Sequence, residues 1–315
     1  MGQFVIRRIV GIIAVLFAIS VVTFAIFNVI PNGDPAQRLA GHSTSPEVVA
    51  AVRHQWGFDK PVYVQYAKTM GKIFDGTLIS YNSQQNVLNE IGHDIGHTFS
   101  LAIGAAIMWM VFAMGLGLYT ALKAGKFSDR FLTVLALVGI SMPVFWVGAL
   151  MSYYLGFKAN IFPNGGYVPL TQNPIQWAYH LILPWTALSI LFIGVYSRLL
   201  RSNILDTVNE DFVRTARAKG LSERRVLIKH VLRTSMIPII SLWGLDFAAV
   251  IGGGAIVTEA VFDLGGVGQY LYDSLQSLDV PPVMAMTMLT AFFVVFFNGI
   301  VDVLYAWLDP RIRLS

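Results

Sequence analysis

The sequence predicts an all-α integral membrane protein with six transmembrane helices, and three observations carry that reading. The 315 residues are 55% hydrophobic and only 13% charged, about half the roughly 25% charge of an ordinary soluble domain. Six apolar stretches are each long enough to cross a hydrocarbon core, which takes about 20 helical residues. Lys and Arg concentrate in alternate connections between those stretches, the asymmetry that orients membrane proteins. A pI near 9.2 therefore reflects topology rather than affinity for nucleic acid. With no cysteine in the chain, disulfides and thiolate-held metals or clusters are excluded.

The spans read as 9–30, 98–122, 131–156, 178–199, 236–258 and 284–308. The first follows Arg7 and Arg8 and is longer than a signal-peptide core. No small-x-small cleavage site follows it, so it reads as an uncleaved span. Residues 31–97 then form an outer loop with helices of its own. Ser45 and Pro46 open one, with Pro at the first helical position, and Gly57 closes it. Val48, Val49, Val52 and Trp56 fall on one apolar stripe of that helix. A second helix is expected from Pro61 to about Phe74, presenting Val62, Tyr66 and Ile73. Pro143 and Pro184 should kink or end their spans. Gly252, Gly253 and Gly254 should let another backbone approach closely. The expected organisation is a first span (1–30), the outer loop (31–97), a five-helix core (98–308) containing a polar loop at 200–235, and a tail (309–315).

Charge sets the orientation. With the N-terminus in the cytoplasm, the inner segments hold Arg7 and Arg8, then Lys123, Lys126 and Arg130, then nine bases from Arg198 to Arg233, and finally Arg311 and Arg313. Of the later outer loops, one holds Lys158 alone; the other has Glu259, Asp263, Asp273 and Asp279 and no base. The loop 31–97 is long enough that its bases barely count. Both termini and the 200–235 loop are therefore expected on the cytoplasmic side.

That loop is the most informative segment: Asn209-Glu-Asp-Phe-Val-Arg-Thr-Ala-Arg-Ala-Lys-Gly220-Leu-Ser-Glu-Arg-Arg225. Thr207 and Glu210 have capping-box spacing and predict a helix of about three turns. Glu210 and Asp211 near its start, and Arg217 and Lys219 near its end, suit the helix dipole. Gly220 is placed to terminate it, and Ser222 to cap a second helix from about Glu223 into the fifth span. Read physically, the segment is either a polar helix–Gly–helix unit that receives force from a soluble partner or a basic amphipathic helix lying on anionic lipid.

The segment resembles the EAA loop of ABC-importer permeases, in the variant of the oligopeptide, dipeptide and nickel permease family. Arg214 and Thr215 stand in place of the general Glu-Ala start, and Arg233 where a Pro often follows, changes usual in the peptide-type branch. The likeness extends over nearly the whole chain: Asp129-Arg-Phe-Leu, Gly139-Ile-Ser-Met-Pro143, His180-Leu-Ile-Leu-Pro184, Tyr196-Ser-Arg-Leu-Leu-Arg201, Thr258-Glu-Ala-Val-Phe262 and Asp302-Val-Leu-Tyr-Ala-Trp occur in order. In the outer loop, Pro31-Asn-Gly-Asp-Pro35 and Asp59-Lys-Pro61 add to it. The resemblance implies the type I ABC importer fold in a bacterial inner membrane. It makes Asp211, Phe212, Val213, Arg214, Thr215, Ala216, Arg217, Ala218, Lys219, Gly220 and Leu221 the coupling helix, with Ala216 and Arg217 on its docking face. It implies a second homologous permease subunit, two ATPase subunits and an extracytoplasmic substrate-binding protein as partners, with the outer loop touching the last. Membrane lipid surrounds the spans, and nucleic acid has no part.

Few residues inside the spans carry chemistry. Asp246 lies about ten residues into the fifth span, where a carboxylate must face other helices or a water-filled path. It either contacts a cationic group of the substrate or holds two helices together by a hydrogen bond. Asn298 and Asp302 invite the same two readings, with Asp302 nearer the inner end. His93 and His97 have i, i+4 spacing, but two histidines without further ligands make a poor metal site. No cofactor or catalytic residue is expected. The chain has no Gly-x-x-x-x-Gly-Lys-Ser/Thr, no Gly-x-Ser-x-Gly and no His-Glu-x-x-His, so any ATP would be hydrolysed by a separate subunit. The expected function is ATP-driven import of dipeptides or oligopeptides by alternating access. The alternatives are nickel or another small solute, or an ATP-independent carrier, which would show inverted repeats and more intramembrane charge.

Overall fold

The protein was described from a computed structural model, covering residues 2–29, 36–37 and 45–308. The Pro31–Pro35 motif, the side chains of Trp56 and Asp302, and the tail arginines lie outside the described residues. Among the described residues there is no strand beyond one isolated bridge, Ile79 with Asn86. Five helical runs are long and apolar enough to span a membrane, and a sixth span is a bent pair. The chain is an all-α six-span membrane protein. It divides into two compact units, Met1–Gly96 with Gly265–Phe296, and His97–Leu264 with Phe297–Ser315.

In the first unit, α1 (Gly2–Phe24) runs on through a wider π turn, Ala25–Val29. Helix α2 (Pro46–Trp56) starts from an extended Ser45 and stops at Gly57, whose φ of 77° is left-handed. There the Gly57 and Phe58 N–H groups donate to the His54 and Arg53 carbonyls at 3.2 and 2.9 Å, the Schellman closure that a C′ glycine permits. Helix α3 (Val62–Phe74) follows Pro61. Its inward face is Tyr66, Met70 and Ile73, packed with Phe24, Phe27, Val280, Met284 and Met288. Val62, expected on that face, is 51% exposed and is not part of this apolar cluster. The buried Asp279 gathers the loop after α3: the Ser80 hydroxyl donates to it at 2.5 Å and the Tyr81 and Asn82 N–H groups at 2.9 and 3.3 Å. Also in this unit are the first turns of α4 (Val87–Leu122), the amphipathic helix before the last span, and that span's first turns.

The second unit is built on one long helix. Here the chain continues along α4 into α5 (Phe127–Ser141), α6 (Val144–Met151, extended by a π turn Ser152–Lys158) and α7 (Pro174–Thr207). The third span, expected to kink or end at Pro143, is two half-length helices meeting at 99°. Met142 between them is extended, with φ −88° and ψ 130°, as the residue before a proline prefers. Pro184, by contrast, lies inside the continuous α7. Close approach is made by single glycines: a Cβ at Gly194 would stand 2.7 Å from the Ala136 carbonyl, and one at Gly117 2.7 Å from that of Ser197. Small residues at those points let α5 and α4 press their backbones onto α7.

The polar helix α8 (Asp211–Ala218) comes next. After it α9 (Glu223–Val226), a π turn and α10 (Arg233–Ala249) run on, as expected from Glu223, into the fifth span, which ends in a second π turn, Val250–Gly254. Gly253 has φ 130°, a left-handed conformation that glycine adopts without steric cost, and the helix breaks there. A Cβ at Gly254 would meet only its own run, with the Ala249 carbonyl at 3.2 Å. Three helices complete the fold: α11 (Ile256–Val261), α12 (Val267–Gln276) and α13 (Val280–Leu308).

Candidate coupling site

Helix α8 is short because its ends are set by backbone rather than by side-chain caps. It has eight residues, about two turns, not three. Thr207 does not open it; that residue closes α7, and its hydroxyl lies 3.1 Å from that of Ser235 on α10. Glu210 takes the N-cap position with no side-chain bond. At the other end Gly220 has φ 76°. The Gly220 and Leu221 N–H groups reach back to the Arg217 and Ala216 carbonyls at 2.9 and 3.4 Å, again a Schellman closure.

The two turns have two faces. Val213 is 0% exposed and Ala216 5%. Both sit in one apolar core with Tyr196, Leu200 and Ile204 of α7, Val226 of α9, Val231 of the π turn that follows it, and Ile239 of α10. Ala216 therefore faces its own chain and not a docking surface, which corrects the sequence expectation. The i, i+3 spacing of the two small apolar residues carries that signal. The outer face shows Phe212 (43% exposed), Asp211, Arg214, Thr215, Arg217, Ala218 and Lys219, while Leu221 is half-buried against the core. Arg217 is tied to Glu223 at 3.0 Å across the Gly220 turn, and Arg214 to Asp211 at 3.4 Å.

Ser235 pins the base of this assembly. Its hydroxyl lies 3.1 Å from the Asn203 carbonyl and from the Thr207 hydroxyl, and Asn203 donates its amide to the Ser235 carbonyl at 3.3 Å. An ion pair that sequence reasoning did not assemble lies on the same long helix. Arg201 of α7 grips Asp129 of α5 through Nε and Nη2, both at 2.8 Å. The Gly125 N–H, at the turn before α5, donates to the same carboxylate at 2.9 Å. Both residues stood in motifs of the resemblance, yet 72 positions separate them and nothing in either motif names the partner.

Asp246 is half-buried on α10, and the Tyr196 hydroxyl of α7 donates to its Oδ2 at 2.6 Å. Asn298 on α13 is also half-buried, next to Phe297, whose ring packs edge-on to Phe247 at 5.4 Å. The histidines take separate partners: His93 Nδ1 lies 2.8 Å from Asp94, and His97 lies over the Tyr167 ring at 3.9 Å. Among the described residues no three His, Asp or Glu side chains gather into a metal-binding group.

These features define a helical membrane protein with a surface helix seated on its span bundle, the form of a transport-system membrane component. Residues 113–314 match the model of the family described as binding-protein-dependent transport system inner membrane component, and residues 1–102 match that family's N-terminal region. The chain belongs to this family and is a multi-pass inner-membrane permease component. It is 32% identical over 314 residues to the probable peptide ABC transporter permease y4tP of Sinorhizobium fredii, covering 99% of this chain and 100% of that one. It is 35% identical to the glutathione transport system permease GsiC of Escherichia coli K12, covering 99% of each. Helix α8 lies within the matched core region.

Proposed function

We propose that this chain is one of two permease subunits in an ATP-driven importer of short peptides, working with an extracytoplasmic binding protein and two cytoplasmic ATPases. The observation that carries the reading is the seating of α8. Val213 and Ala216 are packed into the core that also holds α7, α9 and α10, and a close-packed interior passes on displacement rather than absorbing it. A push on the exposed Phe212 and Arg214 would thus move the fourth and fifth spans together. ATP binding that favours one arrangement of the partner subunits shifts the permease between inward-open and outward-open states by the difference in affinity for the two. The charge pattern supports a cytoplasmic α8. The peptide and glutathione permeases among its relatives support a substrate bearing an amino terminus and carboxylates.

Asp246 and Asn298 are assigned to the translocation path. Tyr196 holds one carboxylate oxygen of Asp246, leaving the other for a substrate ammonium. Nickel or another small solute is the second reading, favoured only by the resemblance to a family that carries both.

The test is uptake into proteoliposomes holding the complete complex. Phe212→Asp should lower both uptake and receptor-stimulated ATP hydrolysis at least tenfold with assembly intact. Uptake that needs no nucleotide would point to a free-standing carrier instead.

A further inference from the structure

We infer that the turn between α4 and α5 is a binding site for an anionic phospholipid headgroup. Three cations crowd into eight positions there: Lys123, Lys126 and Arg130, all exposed and none engaged in an ion pair among the described residues. The one acid among them, Asp129, is buried and already neutralised by the two-pronged grip of Arg201. The local charge is thus close to three positive units with no internal counterion. The turn is tightly built. Gly125 is left-handed at φ 79°, the Lys126 N–H donates to the Lys123 carbonyl at 3.0 Å and the Arg130 N–H to the Lys126 carbonyl at 3.2 Å.

Directly beside the cations stand Phe127 and Phe131, 83% and 57% exposed, with rings stacked at 6.2 Å and 19°. Below them Val134, Leu135 and Val138 continue an exposed apolar face along α5. That face suits acyl chains, and its upper end is where a phosphate must lie if the chains run down it. Basic clusters at the end of a span recognise anionic headgroups, and aromatic rings sit at the level of the headgroups. Charge complementarity on one side and an unbroken apolar face on the other describe an amphiphile with a negative head. A soluble anion would use only the cations, and a soluble protein partner would leave the apolar face bare.

Native mass spectrometry of the complete complex in detergent, titrated with phosphatidylglycerol or phosphatidylcholine, tests the assignment. Phosphatidylglycerol should bind more tightly than phosphatidylcholine. Removing each charge should weaken it about fivefold, so K123Q/K126Q/R130Q should lose affinity on the order of a hundredfold. The single variant K126Q, with most of the surface intact, should show the fivefold step should the triple variant not assemble. F127A/F131A should weaken both lipids. Equal affinity for the two lipids would overturn the site, as would unaltered phosphatidylglycerol binding by K126Q and the triple variant. Displacement of lipid by millimolar inorganic phosphate would make it a free-anion site and overturn it too. So would loss of the ATPase subunits from the triple variant with lipid binding unchanged, which would make the surface a protein contact.

Discussion

Asp129 shows what a single residue does in the second unit. It is 4% exposed as a side chain and Arg201 29%, so the pair lies between the buried ion pairs whose loss is costly and the exposed ones that count for little. Asp129→Asn should lower stability by about 2 kcal/mol, and the double exchange D129R/R201D should recover part of the loss. The unfolding midpoint of the purified protein in detergent reports both. Asp246 makes a different prediction, because its second oxygen is assigned to substrate: Tyr196→Phe should disturb its orientation and raise the KM for uptake without changing assembly. Tyr270 offers a pH reading. Burial, helped by Asp279, Glu90 and Asp94, pushes its phenol up from 10.0 to about 12. The folded state then holds the proton more tightly than the unfolded chain. Its contribution is complete below pH 10 and fades between pH 10 and about 12. Tyr270→Phe should flatten that alkaline leg of a stability–pH curve; an unchanged leg would remove Tyr270 from the account.

At the scale of elements, α8 separates anchoring from contact. Val213→Asp places a carboxylate at a position with no exposed surface and should cost about 3 kcal/mol or more, unseating the helix. Phe212→Ala changes an exposed ring, so the unfolding midpoint should hold while coupling falls. Gly220→Ala forces a Cβ into φ 76° and should cost about 1 kcal/mol. This helix is also where the sequence was most and least informative. Gly220, Ser222 and the dipole-matched charges placed it to within a residue or two, because turn chemistry is local. The capping box misled: Thr207 and Glu210 have the spacing, but the chain needs α7 to run on to Thr207 so that its hydroxyl meets Ser235, and a tertiary contact overrode the local pattern. The face taken by Ala216 was legible from its spacing to Val213, yet the resemblance drew it outward. The bend at Pro143 was anticipated as a kink but not its 99° extent, which depends on how α5 and α6 each pack on α7.

The whole molecule was legible in outline. Six apolar stretches and alternating basic connections are properties of the chain and its solvent, and they need no knowledge of packing. Pairings distant in sequence, Asp129 with Arg201, Asp246 with Tyr196 and Asp279 with Ser80, were not, since no local pattern links residues 50 to 199 positions apart. The central claim is that a separate ATP-hydrolysing subunit on the cytoplasmic side engages the outer face of α8. The chain has no cysteine, so Phe212→Cys introduces a unique thiol for site-directed cross-linking in inside-out and right-side-out vesicles. The account predicts a cross-link to the ATPase, and labelling by an impermeant thiol reagent only in inside-out vesicles once the ATPase is stripped away. Labelling from the outer side, or a thiol equally free with and without the ATPase, would contradict it.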